Sequence, residues 1–107
     1  LASIVAHAIS THILPIIDFG IDYHTGGASR TNYPQLRIQP GNPVARELAT
    51  HFAAPLLFDS ALIEGSLRKA AIDLGKTILV YEGGESLRFD QFAITEGVAG
   101  AQRVLKA

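Results

Sequence analysis

Two polar side chains in this 107-residue sequence stand directly behind apolar runs. His24 follows Ile16–Tyr23, in the string Asp22-Tyr23-His24-Thr25-Gly26-Gly27, and Glu82 follows Thr77–Tyr81, in Tyr81-Glu82-Gly83-Gly84-Glu85. Where such runs are strands of an open α/β sheet, ligands bind beyond their carboxyl ends. An imidazole and a carboxylate at two neighbouring ends are candidates for a metal ligand and a general base. Hydrolysis at zinc needs both: nitrogen or oxygen ligands that leave a position open for water, and a nearby carboxylate that takes the water's proton. The residues alone leave a second reading of His24 open, that of a hydrogen-bonded loop histidine. Just downstream, Arg30-Thr31-Asn32-Tyr33-Pro34-Gln35-Leu36-Arg37 carries two arginines and an asparagine. Guanidinium groups are preferred partners of carboxylates through paired hydrogen bonds. The alternative is two solvated arginines, with Arg37 in a structural ion pair inside a strand.

Other chemistries find no support. His7 and His12 lack the spacing of two ligands on one helical turn, and there is no H-E-x-x-H; both read as helix-surface or partly buried histidines. His51 falls at the end of a helical segment, where a cation suits the dipole. No G-x-S-x-G occurs, and His24-Thr25-Gly26-Gly27 lacks the Lys-Ser or Lys-Thr of a phosphate loop. The absence of cysteine excludes a disulfide scaffold, a thiolate zinc finger, an iron–sulfur site and a cysteine nucleophile. A net charge of −1, from 9 basic and 10 acidic residues, gives no footprint for nucleic acid or an anionic membrane. No apolar run approaches the length of a bilayer span.

The elements that must position these residues follow from periodicity. Ile4, Val5, Ala8, Ile9 and Ile13 predict a helix over Ser3–Leu14, ended by Pro15. Ile16–Tyr23 reads as a strand, His24–Pro34 as a glycine-rich loop, and Gln35–Ile38 as a second strand. Asn42 is an N-cap with Pro43 at the first helical position, and Val44, Ala45, Leu48, Ala49 and Phe52 face inward. Pro55–Phe58 is a third strand. Ser66 caps a helix whose inner face is Leu67, Ala70, Ala71 and Leu74, with Gly75 closing it. Thr77–Tyr81 is apolar on both faces, which predicts the most buried strand. Asp90 caps a last helix with Ile94, Val98, Ala101 and Leu105 inward. Gly97 and Gly100 inside it each cost about 1 kcal/mol against alanine, which points to close packing. This alternation predicts an α/β domain with a mainly parallel or mixed sheet flanked by helices. With 48% hydrophobic and 18% charged residues, one globular domain over residues 1–107 is expected. The sequence starts inside a periodic segment, has no methionine and shows no leader-like pattern, so we expect a cytoplasmic piece of a longer protein.

The ordered strings Ile21–Gly27, Arg30–Arg37, Phe52-Ala53-Ala54-Pro55, Gly65-Ser66-Leu67-Arg68 and Tyr81–Glu85 resemble the succinylglutamate desuccinylase/aspartoacylase family, which belongs with the zinc carboxypeptidase-like hydrolases. The resemblance runs from about Ala2 to the C-terminus. It implies that His24 is the third zinc ligand, Glu82 the general base, and Asp22 the carboxylate that orients His24. It also implies an arginine that binds the substrate carboxylate. Arg68 is the nearest counterpart in position, and Arg30 and Arg37 compete for the task. The family's first two ligands come from an H-x-x-E motif, and none precedes His24 here: Ser10 and Pro15 stand where the glutamate would follow His7 and His12. The resemblance therefore implies the C-terminal half of a catalytic domain, with an incomplete zinc site. The activity implied is hydrolysis of the amide of a small N-acyl amino acid, inactive in the 107 residues alone. A carboxypeptidase-like peptidase and a non-catalytic α/β fragment are the alternatives. An exposed sheet edge left by missing strands would pair with the rest of the domain or with a second copy.

Overall fold

The computed structural model describes residues 1–107. Helix α1 (Ala2–Ala8) runs on into a π-helical turn over Ile9–Ile13, followed by β1 (Phe19–Gly26), β2 (Thr31–Ile38), α2 (Pro43–Phe52), β3 (Leu56–Asp59), α3 (Leu67–Asp73), β4 (Thr77–Glu85) and α4 (Gln91–Lys106). The sheet order is β1-β4-β2-β3. β1 with β4 and β2 with β3 are parallel, whereas β2 with β4 is antiparallel. The sheet is thus mixed. The reason lies in the short Gly27–Arg30 turn: it reverses the chain with no room for the crossover that a parallel return needs. β1 and β2 nonetheless do not pair, because β4 enters between them.

The expected loop over His24–Pro34 is mostly strand. β1 continues to Gly26 and β2 begins at Thr31. Glycine, asparagine and proline disfavour strands locally, but β4 offers hydrogen-bonding partners on both of its sides and prevails over propensity. Thr77–Tyr81 is buried throughout, as its two-sided apolar pattern predicts. Its alternate residues divide the interior. Leu79 and Tyr81 join Leu36, Ile38, Ala45, Ala49, Phe52 and Val104 in the main core under α2 and α4. Ile78 joins Leu14 and Ala71 in a smaller cluster on the opposite face.

Helix α2 starts as the sequence indicates: the Asn42 carboxamide oxygen accepts from the Ala45 N–H at 3.0 Å, with Pro43 at the first position. Asp90 caps α4 in the same way through Ala93 N–H, and Ser66 caps α3 through Lys69 N–H. The inward face of α4 is rotated from the expected one. Ala93, Gly97, Gly100 and Val104 are buried, while Ile94, Val98 and Leu105 are exposed. The two glycines explain this, since a Cβ at Gly100 would overlap the Phe52 ring and one at Gly97 would sit 3.0 Å from the Tyr23 and Tyr81 rings. The helix lies close to the sheet on its small residues, and its larger apolar residues face out. Ile4, Val5 and Ile13, expected inward on the first helix, are exposed as well, as are Val44 on α2 and Leu74 just after α3. No helix is long and apolar enough to cross a membrane.

Candidate active site

The parallel pairing of β1 with β4 sets His24 opposite Glu82 and Asp22 opposite Val80. The antiparallel pairing of β2 sets Gln35 opposite Glu82 and Arg37 opposite Val80. Two rows therefore cross three strands, Asp22-Val80-Arg37 and His24-Glu82-Gln35. Successive strand residues point to opposite faces, so both rows share the face of Ile78, on the α3 side of the sheet. His24 and Glu82 stand near the carboxyl ends of their strands, inside them rather than just beyond, because β1 and β4 run on to Gly26 and Glu85.

Both strands beside Glu82 are irregular. The register of β1 against β4 slips between His24 and Gly26, and that of β2 against β4 between Asn32 and Gln35. On β4 the extra residue falls in Gly83-Gly84, where Gly84 takes φ +75°, a conformation that favours glycine. On β2 it falls at Tyr33-Pro34, a place where proline's missing N–H costs no ladder hydrogen bond. Bulges of this kind re-aim side chains.

The Glu82 side chain is largely buried, 14% exposed, and held at both oxygens. Arg37 Nη1 lies 3.2 Å from Oε1, and Asn32 Nδ2 donates to Oε2 at 2.5 Å. Arg37 Nε also donates to Gln35 Oε1 at 3.0 Å. His24, half-exposed, has Nε2 at 2.9 Å from Asp22 Oδ2, which leaves Nδ1 as its unengaged nitrogen. Arg68 is buried and spends its guanidinium on the loop before α3, donating to the Ser60 and Ala61 carbonyls and to Ser60 Oγ. It has no carboxylate partner. Burial, followed by the positive charge of Arg37, lowers its pKa below the usual arginine value. Arg30 is exposed at the end of the β1–β2 turn and makes no side-chain hydrogen bond. The structure thus gathers Asp22, His24, Glu82 and Arg37, places Arg68 nearby, and leaves Arg30 apart. His7, His12 and His51 are all exposed and contribute nothing here.

Sequence reasoning noted Asn32 within the arginine stretch without giving it a task, and it missed Gln35 and Ser60. The signal for Asn32 is the Asn-x-Pro spacing that makes the β2 bulge, legible only once β2 is known to start at Thr31. A groove of about 330 Å³ is lined by Gln35, Arg37, Phe58, Asp59 and Ser60. A hollow of about 390 Å³ opens on the other face among Tyr23, Tyr81, Ala93 and Gly97. It is walled mainly by apolar groups, with His24 and Arg88 at its wall, whereas Arg37 lines the groove.

A zinc ion fits this donor set only in part. His24, turned by Asp22, has the form of a metal-binding histidine with its second nitrogen fixed by a carboxylate. No three histidines or carboxylates come together in the chain, whereas a catalytic zinc takes three protein ligands. Among the 107 residues, His24 has the form of one ligand of such a site.

The fold has close counterparts among solved structures. A succinylglutamate desuccinylase/aspartoacylase from Rhodobacter sphaeroides aligns at TM-score 0.82 with 28% identity, over 96% of this chain and 32% of its own. The product-bound ectoine utilization protein EutE (DoeB) from Ruegeria pomeroyi aligns at TM-score 0.84 with 21% identity, over 94% of this chain and 32% of its own. A succinylglutamate desuccinylase from Silicibacter sp. TM1040 aligns at TM-score 0.82 with 19% identity, over 95% of this chain and 33% of its own. The chain spans about a third of the length of these structures. Among curated proteins none matches. Residues 2–107 match the succinylglutamate desuccinylase/aspartoacylase catalytic domain, and with the matching fold this shows that the chain belongs to that family.

Proposed function

We propose that the chain is part of a zinc-dependent deacylase that hydrolyses the amide bond of an N-acyl amino acid. One observation carries the reading: His24 and Glu82 face the same way from adjacent parallel strands, with an arginine on the carboxylate. Family membership and the relatives named for small acyl or ectoine compounds support it. Zinc, when bound, polarises the acyl carbonyl and lowers the pKa of its water. His24 contributes one ligand through Nδ1, with Asp22 fixing the ring. The two further ligands come from the parent protein outside these residues, and the 107 residues form one part of its catalytic domain.

Glu82 accepts a proton from the attacking water and returns it to the leaving amine nitrogen. Each carboxylate oxygen has two lone-pair sites, so the bonds to Arg37 and Asn32 leave one on each oxygen for this work. Of the cations Arg37 and Arg68, Arg37 is held by Glu82 and lines the groove, whose acid Asp59 is paired with Arg46. A guanidinium with donors left over suits the carboxylate of an amino-acid substrate. Arg37 is the better placed of the two to touch it, because it lines the groove and keeps donors free, whereas Arg68 is committed to the Ser60 loop. The complete protein should release acetate or succinate from some member of a panel of N-acyl amino acids. Glu82→Gln should keep the metal and lose ~10²–10⁴-fold in turnover. A Glu82→Gln enzyme with parental turnover would refute the assignment and point to Glu85.

A further inference from the structure

We infer that Asn32 is a positioning residue for Glu82, fixing the plane of its carboxylate. The inference rests on the reading of Glu82 as the base. A glutamate carboxylate turns freely about its last torsion, whose preferences are broad. Arg37 holds Oε1 alone, through one contact at 3.2 Å from a side chain that is 37% exposed. Held at one oxygen, the group can still turn. The Asn32 amide supplies the second point, donating to Oε2. Two points fix a plane, and the remaining lone pairs then keep one direction.

The backbone is shaped for this contact. Gln35 and Arg37 lie on the site face, so a regular strand would put Tyr33 and Thr31 there and turn Asn32 toward α4. The register slip between Asn32 and Gln35 reverses the alternation. It brings the Asn32 amide to Glu82 and sends Tyr33 out against Phe92, with ring centroids 5.6 Å apart. The residue type fits as well. An amide adds a donor without a further cation beside Arg37 and Arg68, and without an acid that would repel Glu82.

The test uses the complete protein and the N-acyl amino acid it turns over fastest, with Asn32→Ala, Asn32→Asp, Glu82→Gln and the double variant Asn32→Ala/Glu82→Gln. Asn32→Ala should lower kcat by about 10- to 100-fold, the range for losing one hydrogen bond to a charged group. KM and zinc content should stay as in the parent. Asn32→Asp, which keeps the shape and loses the donor, should lose at least as much. The double variant should be no slower than Glu82→Gln alone, because a residue acting only through Glu82 has nothing left to act on. A raised KM with unchanged kcat would overturn the inference by making Asn32 a substrate contact. A double variant markedly slower than Glu82→Gln, or Asn32→Ala at parental kcat beside an inactive Glu82→Gln, would also overturn it while leaving the base assignment intact. Parental turnover in Glu82→Gln would instead remove the base, and the inference with it.

Discussion

Replacing Gly100 by alanine measures how closely α4 is laid on the sheet. On an exposed helix the change would gain about 1 kcal/mol. Here the new Cβ would overlap three atoms of the Phe52 ring. That ring is fully buried, and it packs on Tyr81 with centroids 5.5 Å apart. It has no free volume to swing into, so the helix must lift or the ring must leave its rotamer. Overpacking costs about 1–3 kcal/mol. With three atoms overlapped the upper part of that range applies, and against the helix gain the net loss is about 1–2 kcal/mol. Urea unfolding of the complete protein reads this as a lower midpoint at unchanged slope. The double variant Phe52→Leu/Gly100→Ala should lose less than the sum of its parts, because leucine vacates the space the methyl needs. A Gly100→Ala protein more stable than its parent would show that α4 stands farther off and that glycine was not required there.

Three further outcomes follow from the structure. Asn42→Ala removes the cap on Ala45 N–H and should cost about 1 kcal/mol of stability, read by the same unfolding, with kcat unchanged. Burial, followed by the charges of Glu96, Tyr23 and Asp90, pushes the Tyr81 phenol up to about 12. Against about 10 for a tyrosine in the unfolded chain, the folded state holds the proton more tightly; the associated stability is complete below about pH 10 and is lost as pH rises to about 12. Tyr81→Phe should remove that part of the alkaline decline, and unfolding titrations at stepped pH would show whether it does. On the proposed reading, His24→Ala should remove zinc and activity together from the complete protein, and the 107 residues alone should bind zinc only weakly, since no three histidines or carboxylates come together in them. Tight, stoichiometric zinc in the isolated chain would mean that the ligands have been misassigned.

Much of this arrangement is legible in the sequence because it rests on local signals. Asn42-Pro43, Ser66 and Asp90 declare helix starts through their own side chains. Thr77–Tyr81 declares its burial by lacking any polar alternation. His24 and Glu82 can be paired because each follows an apolar run. What escaped depends on partners distant in sequence. The antiparallel course of β2 and its early start at Thr31 are set by β4, and Asn32 reaches Glu82 only through a bulge that the pairing creates. The turned face of α4 escaped for a related reason. Hydropathy ranks Ile94 and Val98 above Gly97 and Gly100 as core residues, but the Phe52 and Tyr81 rings leave room only for the smaller pair.

The insertion of β4 between β1 and β2 also governs how the molecule is assembled. The two strands that flank β4 are made first, joined by a four-residue turn, and in the finished sheet each pairs with β4 and not with the other. Asn32 and Glu82 are 50 residues apart in sequence. The contacts of Glu82 with Asn32 and Arg37 therefore close long loops, the kind of non-local pairing that slows folding. In chain order α2, β3 and α3 all come before the strand that joins β1 to β2. That strand carries Glu82, so completing the sheet and setting Glu82 beside His24 are one event. A slow phase in refolding should be shared by backbone protection of β1, β2 and β4 and by recovery of activity.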